Sequence, residues 1–236
     1  MILDYAKLYS KKEGWFSAQL GTKLFNFLKE RNYRVRSILD VACGTGEFVS
    51  IMKNGCPEVV GIDFEKAMIG VAKKNVHDAT FEVAPLFDFD MKRKFDLVSA
   101  NYETVNFATD QEKLNKFFTN VANHLEKNGI FVFDFKTPEG VAEDMLVFEE
   151  SSDFDWMKKL SANGEFYDKH EVFYVATKEN YRKIVNDEKR KVWSVAEIET
   201  ALEKAGFYAI NFCDQDLVVL KKPKKQKHVH VLCYKK

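Results

Sequence analysis

The sequence predicts an α/β fold built on a mostly parallel sheet, and three observations carry that prediction. Beyond Arg36, short apolar runs alternate with stretches of helical period, the pattern of repeated strand and helix units. The first of these strands ends in a glycine loop, Gly44-Thr45-Gly46, that opens directly into a helix. Between 139 and 192 the pattern changes to short, aromatic, period-two pieces, which read as an inserted antiparallel β region.

The elements follow in order. Residues 3–10 and 15–30 form an N-terminal helical lid, 1–35; in the second helix Phe16, Leu20, Leu24, Phe27 and Leu28 fall close to the 3.6-residue period. The core then runs as strand 37–41, helix 47–53, strand 58–62, helix 66–75, strand 80–83 and strand 95–100. Helix 111–125 carries Leu114, Phe117, Phe118 and Val121 on one face. Asn128-Gly129 is expected to close it before strand 130–135, which is apolar enough to be buried on both faces. After the insert, Ser194-Val195-Ala196-Glu197 is a capping box that starts a helix ended by Gly206. Strands 208–213 and 229–234 lie close enough in sequence to pair antiparallel. The expected domains are thus the lid, a core of 36–138 and 193–236, and the insert 139–192.

With 236 residues, 46% of them hydrophobic, the chain can bury one substantial core plus an elaboration. Thirty-six basic side chains balance 36 acidic ones, so no global field draws it to nucleic acid or an anionic membrane. Cys43, Cys56, Cys213 and Cys233 form no Cys-x-x-Cys pair, and neither a disulfide framework nor a metal site is expected. The start, MILDYAKLYSKK, lacks the basic and apolar regions of a signal peptide, and no 18 apolar residues run together. A cytoplasmic protein is expected.

The glycine loop lies at the carboxyl end of a strand, where open α/β sheets bind ligands. Asp63, at the end of the second strand, is placed to accept hydrogen bonds from ribose hydroxyls, which points to a nucleoside. Val49 stands where the dinucleotide fingerprint has its third glycine, and Asp40 precedes the loop with a charge that would repel a pyrophosphate. Both argue against a nicotinamide dehydrogenase. A nucleoside carrying a cationic, amine-bearing tail fits better.

"ILDVACGTGEF" followed by "VVGIDFEKAMIGVAKK" resembles the first two motifs of the class I S-adenosylmethionine-dependent methyltransferases. "KFDLVSA", "LEKNGIFVFDF" and "WSVAEIETALEKAGF" keep the order of that family. The resemblance implies a Rossmann-like sheet of seven strands, mostly parallel with an antiparallel terminal strand, and S-adenosyl-L-methionine as cofactor. It further implies that Asp40, Ala42, Gly44 and Gly46 line the methionine moiety, that Asp63 holds the ribose, that Phe64 and Met68 flank the adenine, and that Thr45 and Leu86 also belong to the cofactor site. Pro85 stands where the family often has an acid.

Acceptors approach the methyl group just after the fourth strand, here Asn101-Tyr102-Glu103, so Asn101 and Tyr102 are catalytic candidates. The proline pair of enzymes that methylate exocyclic base amines is absent, as is a Pro-Cys pair for cytosine. The segment "DYAKLYSKKEGW" is similar to the entry segments of small-molecule methyltransferases, in which a tyrosine caps the cofactor; Tyr5 and Tyr9 match. The insert resembles the region where glycine and amino-sugar N-methyltransferases build an acceptor platform or a dimer contact. Within it His170 is the candidate base, with an ordinary pKa near working pH. The expected function is methyl transfer to a nitrogen or oxygen of a small molecule, with a possible homodimer through the insert. An RNA or protein methyltransferase would instead turn the Lys221–Lys227 run toward the cofactor, and a non-catalytic S-adenosylmethionine-binding module would lack an acceptor cavity.

Overall fold

Two helices enter first, α1 (Tyr5–Lys12) and α2 (Gly14–Glu30), in a computed structural model that describes residues 4–141 and 143–236. Asp4 caps α1 by accepting from the Lys7 N–H; the expected start of this helix, residue 3, lies outside the described residues. Only Glu13 separates the two helices, and Gly14 lets the end of the Glu47 side chain come close, since a Cβ there would lie 2.5 Å from Glu47 Oε1.

The core alternates as expected: β1 (Ser37–Val41), α3 (Glu47–Met52), β2 (Glu58–Asp63), α4 (Lys66–Asn75), β3 (Thr80–Val83), β4 (Phe95–Ala100), α5 (Gln111–Asn123) and β5 (Leu125–Lys136). Four further strands form the insert: β6 (Met145–Glu149), β7 (Phe154–Asn163), β8 (Phe166–Ala176) and β9 (Tyr181–Lys191). Helix α6 (Val195–Lys204) and strands β10 (Phe207–Cys213) and β11 (His228–Lys235) complete the core.

The main sheet has seven strands in the order β10-β11-β5-β4-β1-β2-β3. Strands β1 to β5 are parallel, while β11 slots antiparallel between β5 and β10. The side-chain period of two sorts each strand between two cores. Ile38, Leu97, Ile130 and Val132 pack under α2, α3 and α4, whereas Leu39, Val98, Phe131 and Phe133 pack under α5 and α6.

One boundary differs from expectation. Helix α5 stops at Asn123, and Leu125 already pairs with Phe95, so Asn128-Gly129 does not close the helix. It sits in a bulge of β5, where the register jumps from Leu125 to Ile130 and Asn128 adopts φ 60°. Burial of Leu125 in the core favours extending the sheet over another helical turn.

Gly61 of β2 lies where the loop after β1 presses on β3: a Cβ there would sit 2.8 Å from the Phe81 ring and 2.9 Å from Cys43 Sγ. Gly61→Ala is therefore expected to cost about 1–3 kcal/mol by overpacking. An unchanged urea midpoint would refute this account of the loop's packing.

The insert is a separate antiparallel sheet in the order β6-β7-β8-β9. Leu8 of α1 packs with Phe154, Trp156, Phe173 and Val175 on its inner face, so α1 lies between the insert and the carboxyl end of the main sheet. Among the described residues no helix is long and apolar enough to cross a membrane.

Candidate active site

The loop after β1 turns through three residues of positive φ, Ala42 at 57°, Gly44 at 55° and Gly46 at 89°. Asp63 braces it: one carboxylate oxygen accepts from the Gly44 N–H at 2.9 Å and the other from the Glu65 N–H at 2.8 Å. Asp40 is buried at the end of β1, where one oxygen accepts from Ser99 Oγ at 2.8 Å and Asn101 Nδ2 at 3.1 Å. Burial pushes its carboxyl up to about 8, opposed by the Ser99 hydrogen bond and reinforced by Asp63 and Glu47. Asn101 Oδ1, also buried, has no hydrogen-bond partner.

A cleft opens over this loop, lined by Ala42, Gly44, Asp63, Phe64 and Met68 from the core and by Tyr5 and Tyr9 from α1. The Tyr9 ring comes so close to Gly44 that a Cβ there would meet it at 3.3 Å. Phe107, which sequence reasoning did not single out, meets Phe64 edge to face at 6.0 Å and closes one side.

A second cavity, of about 340 Å³, lies between the α1–α2 junction and the inner face of the insert. Glu13 is its hub. Its carboxylate accepts from Lys158 at 2.6 Å, from Lys169 at 3.0 Å and from the Tyr102 hydroxyl. Burial would raise the pKa of Glu13, but Lys169 and Lys158 outweigh it and hold the group at about 2. Glu103 is tied in the same way to Lys136 at 3.1 Å, Tyr167 at 2.6 Å and Arg190 at 3.3 Å. Burial opposes its ionisation, yet Lys136 and Arg190 hold it well below the usual carboxylate range. Trp15, Phe16 and Trp156 supply aromatic walls. Tyr102 and Arg190 line both cavities, forming a partition between them.

The structure leaves five expected site residues out of the cleft lining; Asp40 lies buried beneath it, behind Asn101, from whose Nδ2 it accepts at 3.1 Å. His170 is 41% exposed on the outer face of the insert, paired with Asp187, and lines neither cavity. In β8 the inner face belongs to Lys169, Glu171 and Phe173, so the strand's alternation turns His170 outward. Leu86 is buried in the core cluster beneath α5 and is absent from the cleft lining. Thr45 turns its hydroxyl to Glu47 at 2.7 Å. At Gly46 the side-chain direction points at Phe81 and Ala72, so this glycine serves packing of the loop on β3 and α4. Glu13, Lys158, Lys169, Glu103 and Glu188, none of them singled out as catalytic or cofactor-binding in the sequence, enter instead.

The sheet order and the glycine loop after β1 make up the Rossmann-like fold that solved methyltransferase structures share. Residues 38–129 match a family described as a methyltransferase domain. A dTDP-3-amino-3,4,6-trideoxy-alpha-D-glucopyranose N,N-dimethyltransferase of Streptomyces venezuelae is 28% identical over 131 residues, 56% of this chain and 55% of the relative. A dTDP-4-amino-2,3,4,6-tetradeoxy-D-glucose N,N-dimethyltransferase of Saccharopolyspora spinosa is 25% identical over 55% of this chain and 52% of its own. The chain spans about half the length of these curated relatives. The crystal structure of an S-adenosylmethionine-dependent methyltransferase from Clostridium acetobutylicum superposes with a TM-score of 0.85 at 17% identity, covering 98% of this chain and 97% of that one. A sugar N-methyltransferase from Streptoalloteichus superposes with a TM-score of 0.82 at 20% identity, covering 100% and 94%.

Proposed function

We propose that the protein transfers a methyl group from S-adenosyl-L-methionine to the amine nitrogen of a small acceptor of amino-sugar type. The observation that carries this reading is the partition of Tyr102 and Arg190, against which a ligand in either cavity must rest. The amino-sugar relatives supply the acceptor class.

The cleft fits the cofactor. Asp40 is a buried carboxyl without a cation and Asn101 Oδ1 a buried acceptor without a donor; an amino acid ammonium answers both. Asp63 keeps lone-pair capacity for ribose hydroxyls beyond the two N–H groups it already accepts. Phe64, Met68 and Phe107 offer faces to adenine. The free volume is only about 50 Å³, below the roughly 300 Å³ at which ligand pockets begin. Entry therefore displaces Tyr5 and Tyr9 with α1, which acts as a lid.

The bound cofactor supplies the methyl group on a good leaving group. What remains to the chain is to align the acceptor and exclude water. Glu13 and Glu103 are held ionised by their cationic partners, so neither is a useful base near neutrality. The acceptor nitrogen must arrive neutral, and the lining favours that form: Lys12, Lys136, Lys158, Lys169 and Arg190 face three carboxylates, Glu13, Glu103 and Glu149. The second cavity favours turnover over mere sensing. An RNA enzyme is disfavoured because no lysine of the 221–227 run lines either cavity.

Calorimetric titration with S-adenosylmethionine and S-adenosylhomocysteine, followed by a labelled-methyl assay on amino sugars, tests the proposal. The expected results are dissociation constants on the order of micromolar and label on nitrogen. Binding without turnover on any amine would leave the sensor reading, and no binding would overturn the assignment of the cleft.

A further inference from the structure

The turn that builds the partition is strained. Tyr102 and Glu103 both sit at φ 60°, a left-handed region that residues bearing a side chain avoid. Such a turn persists only where its surroundings fix it. Here the fixing group is Asp134, fully buried on β5 beside β4. Its Oδ1 accepts from the Tyr102 N–H at 2.6 Å and its Oδ2 from the Glu103 N–H at 2.8 Å.

Asp134 is oriented in turn. His228, near the start of β11, donates from Nε2 to Asp134 Oδ2 at 2.7 Å, and its ring rests edge-on against Phe16 of α2 at 5.8 Å. Burial lowers the pKa of His228, but the hydrogen bond and charge of Asp134 outweigh it and the net direction is up. The groups facing it are Asp134 and Lys136 of β5, Glu103 of the turn and His230 of β11, with uncharged Phe16 from α2. Neither Asp134 nor His228 lines either of the two cavities.

We infer that Asp134 and His228 form a positioning pair that holds the Tyr102–Glu103 turn, and through it sets acceptor against cofactor, a role that rests on the proposed acceptor cavity. The pair acts only through the turn. Tyr102 carries the register into the partition through its hydroxyl on Glu13, and Glu103 does so through Lys136, Tyr167 and Arg190. Because methyl transfer is an alignment problem, a turn that relaxes by a fraction of an ångström is felt in kcat more than in cofactor affinity.

Two variants and two readouts decide the matter. In His228→Phe, which keeps the ring packing and removes the donor, the Tyr102 and Glu103 amides are expected to exchange hydrogen at least tenfold faster while β4 stays protected. In the same variant kcat is expected to fall at least tenfold, with S-adenosylhomocysteine affinity changed less than threefold. His228→Gln, which restores an N–H donor, is expected to recover both readouts to within threefold. Unchanged amide exchange in His228→Phe overturns the pair, and so does faster exchange with wild-type kcat. If the wild type methylates no amine, the proposed reaction fails, while the exchange readout still decides whether the pair holds the turn.

Discussion

Glu13→Gln is expected to destabilise the protein by roughly 3 kcal/mol at pH 7. Glutamine keeps the size of the side chain and removes the charge that answers Lys158 and Lys169. Lys169 retains Glu171 at 2.8 Å, which keeps the expected loss at the lower end for a broken buried pair. The same size follows from the pKa, since depression from 4.5 to about 2 corresponds to roughly 3 kcal/mol. A carboxylate with a depressed folded pKa contributes its full stability above the unfolded value and loses it as pH falls through the folded one. Urea midpoints of wild type and variant should therefore differ fully at pH 5 and above and converge toward pH 2. Equal midpoints at pH 7 would mean that Glu13 is not the hub of the cavity. Activity should fall as well, on the order of tenfold or more, because the Tyr102 hydroxyl loses its charged acceptor.

The sheet was legible because its signals are local and repeated. Apolar runs at strand length, helical periods between them and the capping box at Ser194 each state their element without reference to the rest. Where expectation failed, a tertiary contact decided. Asn128-Gly129 is a turn signal in any local reading, but Leu125 gains a buried seat against β4 by entering the sheet early.

The proximity of Asp40, Ala42, Gly44 and Asp63 was legible for the same reason: they come from two adjacent strands and a short loop. The second cavity was not, because its charges arrive from the α1–α2 junction, the turn after β4, the end of β5 and all four strands of the insert. A usable sign did exist in β8. Tyr167 and Phe173 are its large apolar anchors, and the period of two puts Lys169 and Glu171 on their face and His170 on the other. Chemical reputation favoured the histidine over the lysine, whereas the pleat had already assigned the faces.

Asp40→Asn should move stability and affinity in opposite directions, an outcome that a merely structural residue would not give. Burial raises the pKa of the Asp40 carboxyl from 3.8 to about 8. An acid whose folded pKa is raised costs nothing below the unfolded value and destabilises increasingly as pH climbs toward the folded one. Asparagine keeps the shape and removes that cost, so the variant should be more stable than wild type by about 2 kcal/mol or more near pH 8 and no different near pH 3. The cofactor ammonium reverses the preference, since it needs the ionised form. Its affinity for the variant should fall by about 10- to 100-fold, the worth of a charged hydrogen bond. At pH 7 the wild-type group is mostly protonated, so binding should release close to one proton, read as the dependence of calorimetric enthalpy on the ionisation enthalpy of the buffer. The variant should release none. Equal proton release in the two proteins would detach Asp40 from the ammonium, and a variant that binds as tightly as wild type would remove the carboxyl from the cofactor site altogether.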